Sequence, residues 1–220
     1  RKNGDSEALG RTSVNDYVAD IVELIGHLRE FGFIDPDVRP IIFGHSMGGL
    51  IAQKLSACGA SSLTVLLNSA PPAGVKLHAD LHYQLDIFRY LPKMLAQKPF
   101  LPSLKIFSRY IMNGMPPEIH AALYKGAVHE SGRAALEIRF GKINVDFSAI
   151  DCPMLIIGAE NDRIIPHRIA IDIGKKITTN VPHEVWVYEK FAHWIQVEQG
   201  LGWRRPANDI YEWILSHLNV

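Results

Sequence analysis

The chain has 220 residues, 47% hydrophobic and 21% charged, which suits one globular domain or a core domain carrying an insertion. Lys plus Arg number 23 and Asp plus Glu number 23, so the formal charge is zero and the basic footprint of a nucleic-acid or anionic-surface binder is missing. No apolar run approaches the roughly 20 residues that a membrane span requires.

Thr12-Ser13 and Asn15-Asp16 are good cap residues, and Val18, Ile21, Leu24, Ile25 and Leu28 recur at helical spacing, so a helix is expected over 13–30. Arg39-Pro40-Ile41-Ile42-Phe43 reads as a buried strand. A helix follows over about 47–57 and stops at Gly59. Leu63-Thr64-Val65-Leu66-Leu67 is a second buried strand, ended by Pro71-Pro72. From about 75 to 147 the chain turns helical, aromatic and Met-containing, punctuated by Pro92, Pro99, Pro102, Pro116 and Pro117. Helices are expected there over about 80–98, 102–113, 117–127 and 130–140. Strand character returns at Met154-Leu155-Ile156-Ile157, a helix follows Pro166, Glu184-Val185-Trp186-Val187-Tyr188 is another strand, and 206–218 a last helix. Uniformly apolar strands alternating with helices argue for a parallel α/β sheet. The expected division is a core over 1–74, a helical insertion over 75–147 and the rest of the core over 148–220.

Between the first strand and its helix stands Gly44-His45-Ser46-Met47-Gly48-Gly49. A serine flanked by glycines at a strand-to-helix junction is the pattern of a nucleophile elbow. The turn exposes the serine on a strained backbone, and a side chain at Gly44 or Gly48 is expected to crowd it. A serine hydroxyl is a poor nucleophile at neutral pH, so it needs a base, and the base needs an orienting acid. At such sites they follow in the order serine, acid, histidine, each at the carboxyl end of a strand. After the third strand comes Gly158-Ala159-Glu160-Asn161-Asp162-Arg163-Ile164-Ile165-Pro166, and after the fourth Lys190-Phe191-Ala192-His193-Trp194. The expected roles are nucleophile for Ser46, general base then acid for His193, and tautomer-fixing acid for Asp162, with Glu160 its rival.

These residues resemble the α/β-hydrolase superfamily, in its cap-bearing serine esterase and lipase-like branch. The elbow matches without departure, and the histidine loop differs in Ala192, where Gly is commoner. The resemblance spans nearly the whole chain. It implies an eight-stranded sheet flanked by helices, a lid, a small-molecule acyl substrate, hydrolysis of an ester-like bond and no cofactor. Asp162 rather than Glu160 fits the family's acid loop. Arg1-Lys2-Asn3-Gly4-Asp5-Ser6 resembles the R-G-H-G-x-S loop after the family's fourth strand, departing at Lys2 and Asn3. That alignment puts the first four strands outside this sequence, together with one oxyanion-hole donor. The backbone N–H of Met47 is the other donor. Activity is then expected of a longer parent chain, and an exposed strand edge of this one.

His45 is expected to point away from the site. His167 and His183 are expected at the surface, as are His78, His82, His120 and His129. Cys58 and Cys152 sit in no metal-ligand spacing and are expected to be buried free thiols. No H-x-x-x-H pair occurs, so no metal site is expected. The chain opens with Arg1 and displays no signal peptide, and a cytoplasmic monomer or homodimer is the expectation. Lactone opening, amide or aminopeptidase cleavage, C–C hydrolysis and perhydrolysis share the triad on this fold, and a non-catalytic ligand-binding role is the reading from another class. Ser46 argues against dehalogenase and epoxide hydrolase chemistry, which use Asp at the elbow.

Overall fold

A computed structural model describes residues 6–77, 80–198 and 202–218. Residues 1–5 of the opening motif, and His78, lie outside the described residues. A short helix that the sequence pattern does not announce, α1 (Ser6–Arg11), precedes α2 (Val14–Glu30). Ser13 caps α2: its hydroxyl accepts from the Asp16 N–H at 3.0 Å, and the Asp16 carboxylate accepts from the Ser13 N–H at 2.7 Å. This reciprocal pair satisfies two amide donors that a helix start leaves open.

Four parallel strands follow: β1 (Ile41–His45), β2 (Leu63–Leu67), β3 (Met154–Ala159) and β4 (His183–Tyr188), in the spatial order β1-β2-β3-β4. Helix α3 (Met47–Ala57) joins β1 to β2. Alternation along β3 divides the core between two sheet faces. Met154 and Ile156 pack with Leu50, Leu66, Ile169 and Ile173. Leu155 and Ile157 pack with Val65, Ile210 and Trp213. These last two come from the C-terminal helix, and each large apolar side chain buried this way contributes about 1.5–3 kcal/mol.

β1 is the exposed strand edge that the alignment of the opening residues implies, but it is not buried as its apolar run suggests. It pairs with β2 alone among the described residues, and Phe43 is 54% exposed, so the run read as a buried strand is a sheet edge. An edge strand has no neighbour to cover its outer flank. Cys152 is buried, but Cys58, just past the end of α3, is exposed.

Between β2 and β3 the chain forms α4 (Leu81–Phe88), α5 (Leu91–Leu95), the single turn α6 (Leu104–Ile106) widening into a π turn over Phe107–Ile111, α7 (Pro117–Tyr124) and α8 (Gly132–Arg139). The one helix expected over 80–98 is two. Pro92 lacks an N–H and sits in the first turn of α5, where none is needed. The stretch has a core of its own, made by Ile87, Met94, Phe100, Ile106 and Tyr110. After β3 come α9 (Arg168–Gly174), β4 and α10 (Arg204–His217).

Candidate active site

Ser46 occupies the one-residue gap between β1 and α3 with φ 55° and ψ −123°. A non-glycine residue there costs about 1–3 kcal/mol and persists only where its surroundings over-determine it. They do so here. The Ser46 N–H donates to the Leu67 carbonyl at 3.1 Å, and the Ser46 carbonyl accepts from the N–H groups of Gly49 and Ala70, both at 2.9 Å. Gly44 is required as expected, since a Cβ there would lie 2.4 Å from the Gly48 carbonyl oxygen. Gly48 is not, because a Cβ there would meet nothing within 4 Å. The second crowded position is Gly49, whose Cβ would stand 2.4 Å from the Ser69 hydroxyl oxygen. The turn is tightened against the loop after β2, a contact that the motif's spacing does not disclose.

The loop after β3 carries Asp162. Its Oδ1 accepts from the N–H groups of Ile164 and Ile165, both at 2.8 Å, and its Oδ2 accepts from His193 Nδ1 at 2.7 Å. The Asp162 side chain is fully buried and that of His193 is 4% exposed. Glu160 is exposed and accepts from the Lys190 N–H at 3.2 Å, which leaves Asp162 as the carboxylate on the histidine. A carboxylate only accepts, so Nδ1 carries the proton and Nε2 presents its lone pair. That Nε2 lies 3.2 Å from Ser46 Oγ. The structure therefore brings Ser46, His193 and Asp162 into one chain of hydrogen bonds.

The backbone of His193 is gripped from two sides. Asn68 Nδ2 donates to the carbonyls of Ala192 and His193 at 3.0 and 2.9 Å, and His45 Nε2 donates to the His193 carbonyl at 2.7 Å. The His45 ring lies 4.8 Å from the His193 ring, so His45 turns toward the histidine loop, not away from it. Burial, followed by the neighbouring His193, lowers its pKa from 6.5 to about 4 and keeps it neutral. Sequence reasoning missed two of these supports. Asn68 ends β2 at φ 43°, and Glu198 is buried with both carboxylate oxygens on the Ala192 N–H, at 2.9 and 3.1 Å. Burial pushes the Glu198 carboxyl pKa up. A glutamate five residues after a candidate catalytic histidine, directly following the mostly apolar Trp194-Ile195-Gln196-Val197, was the available signal.

Above Ser46 and His193 opens a cavity of about 550 Å³, within the range of small-molecule sites. Its wall includes Met47, Tyr83, Phe100, Phe107, Ile164 and Trp194. None of His82, His120 and His129 lines it: His82 and His129 are exposed, and half-buried His120 bonds the Met115 carbonyl through Nε2 at 3.0 Å. His183 is exposed and His167 half-buried. Among the described residues no three His, Cys, Asp or Glu side chains cluster as a metal site, and no helix is long and apolar enough to cross a membrane.

No curated protein matches the chain. Solved structures do. A monoacylglycerol lipase from Paleococcus ferrophilus is 18% identical with a TM-score of 0.59, over 94% of this chain and 77% of that one. A thermophilic esterase from Thermogutta terrifontis is 18% identical with a TM-score of 0.65, over 94% and 74%. A methylesterase from Arabidopsis is 15% identical with a TM-score of 0.62, over 94% and 80%. At such identities the likeness speaks to the fold alone, and that fold is the α/β-hydrolase fold. The model of the Alpha/beta hydrolase family matches residues 4–198, a span that contains the elbow, the acid loop and the histidine loop, and the chain belongs to that family.

Proposed function

We propose that this chain is a serine hydrolase that cleaves a carboxylic ester of a small to medium apolar substrate through an acyl-enzyme. The observation that carries the reading is the Ser46–His193–Asp162 chain of hydrogen bonds, at 3.2 and 2.7 Å, at the floor of an apolar cavity. Ser46 Oγ attacks the ester carbonyl carbon while His193 Nε2 takes its proton. The oxyanion that forms faces the Met47 N–H, which starts α3 and has no partner within the helix. Collapse breaks the bond to the alcohol, and His193 returns the proton to the leaving oxygen. A water then gives His193 a proton as it attacks the acyl carbon, and collapse breaks the bond to Ser46 Oγ, which takes that proton back from His193 as the carboxylic acid leaves. Asp162 holds the imidazole in the Nδ1–H tautomer and stabilises its charged form. The helices over 75–147 act as a cap, and their inner face sets which acyl or alcohol group fits.

A fluorophosphonate probe tests the reading. It is expected to label Ser46 in the full-length protein and to leave Ser46→Ala unlabelled, with turnover of p-nitrophenyl butyrate reduced about 10⁵-fold or more. Equal turnover by Ser46→Ala overturns it. Tight retention of ligand with neither labelling nor turnover points to a binding protein instead.

A further inference from the structure

The cavity wall is apolar except at a few places. Glu130 is one, and its Oε1 is already engaged by the Tyr17 hydroxyl at 3.0 Å and the Ser131 N–H at 2.8 Å. Arg139 is another. It is the single Lys or Arg among the described residues lining the cavity, and no hydrogen bond or ion pair ties it to any described residue. Its direction follows from helix geometry. Ala135, Ile138 and Arg139 stand at i, i+3 and i+4 on α8, and all three line the cavity. Arg133 and Glu137 of the same helix pair with each other at 3.1 Å, with Arg133 exposed. A basic residue in the last turn of a helix is favoured by the helix dipole whichever way it points. The dipole does not account for an arginine among the residues of an apolar wall, with no described residue taking up its donors.

The third place is Tyr83, in the first turn of α4. Its ring packs edge-on against Tyr110 at 5.0 Å, and no hydrogen bond ties its hydroxyl to a described residue. Burial, then the charge of Asp162, pushes its pKa up to about 12, and the positive charge of Arg139 opposes that rise. The phenol is therefore a neutral O–H donor in the same cavity that Arg139 lines. A cation and a neutral donor that no described residue engages suit a ligand that brings an anionic group into an apolar cavity, where a charge-assisted hydrogen bond is strong.

We propose that Arg139 and Tyr83 form an anion subsite in the cavity, so that the substrate is an ester with an apolar body and a carboxylate on the part that enters the cavity. This rests on the serine hydrolase reading above for the ester, but not for the anion. One guanidinium matches the flat, two-oxygen face of a single carboxylate, whereas a doubly charged phosphate calls for a second cation, and no other Lys or Arg among the described residues lines the cavity.

The test uses the full-length Ser46→Ala variant, which binds without turnover, and two ligands of equal body. These are monomethyl adipate, a monoanion, and dimethyl adipate, which is neutral. Calorimetry is expected to find the monoanion bound about 10- to 100-fold tighter, the worth of a charge-assisted hydrogen bond. Adding Arg139→Met is expected to erase the preference, Arg139→Lys to keep part of it, and Tyr83→Phe to reduce it several-fold. Equal binding of the two ligands by Ser46→Ala overturns the subsite, and that result needs no Arg139 variant to fold. If the monoanion is not preferred while the wild type labels with the fluorophosphonate, only the subsite falls. If the monoanion is preferred while labelling and turnover are absent, the hydrolase reading falls and the subsite stands.

Discussion

The loops at the strand ends and the helices over 75–147 are built on different principles. Around Ser46, Asn68, Asp162 and His193, position is fixed by hydrogen bonds to backbone groups: three at the Ser46 peptide, two at Asp162 Oδ1, and one each from Asn68 and His45 at the His193 carbonyl. The helical insertion holds itself by side-chain packing around Ile87, Met94, Phe100, Ile106 and Tyr110, with short helices and a π turn. Backbone bonds tolerate little displacement, and a 1 Å error at reacting atoms costs about 10²-fold in rate. Packing tolerates exchange of one apolar residue for another of similar volume at under about 1.5 kcal/mol. Under the proposed function, the contrast puts chemistry in the rigid region and selectivity in the adaptable one.

Four substitutions break or sharpen that contrast. The largest expected effect is Asp162→Asn, which keeps the shape of the acid loop but offers an amide to His193 Nδ1. A loss of about 10⁴-fold in kcat with KM nearly unchanged is expected in steady-state assays. A loss that falls on KM instead would mean that the loops hold substrate, and the division of labour would fail. Next are the elbow glycines. Gly44→Ala forces a Cβ to within 2.4 Å of the Gly48 carbonyl oxygen and is expected to lower stability by about 3 kcal/mol in denaturant titration. Gly48→Ala meets open space in a helix and is expected to be neutral or to stabilise by up to about 1 kcal/mol. Equal losses at the two positions would show that the tightness of the elbow lies elsewhere.

The smallest effect concerns His45. Its folded pKa of about 4 lies below its ordinary 6.5, so the unfolded chain binds the extra proton first as pH falls. The resulting stability is complete above pH 6.5 and is lost between there and pH 4, by at most about 3 kcal/mol before partial exposure reduces it. His45→Asn is expected to flatten that part of the Tm-against-pH curve. An unchanged slope would mean that the loop cluster is not sensitive to charge on this ring.

Legibility in the sequence followed the range of the interactions. α3 matches the expected 47–57 and β2 the expected 63–67, because apolar runs, a glycine stop and a proline break act within a few residues. The helix expected over 80–98 failed, since helical spacing continues through Arg89-Tyr90 while Pro92 starts a new helix. Gly49 in place of Gly48, and His45 facing inward, were illegible for another reason. The first meets Ser69 and the second His193, partners on other strand ends.

Residue order along the chain, by itself, determined the parallel α/β class, the elbow at Ser46, and the two loops that carry its candidate partners, Asp162 with Glu160 as its rival in one and His193 in the other. Each of these follows from a rule of local backbone: which turn a glycine permits, which run makes a strand, and which loop follows a strand's carboxyl end. Tertiary structure alone decided that Asn68, His45 and Glu198 hold the histidine loop, and that Arg139 lines the cavity with no partner among the described residues. Those depend on approaches between residues up to 148 positions apart, and no local pattern encodes such a distance.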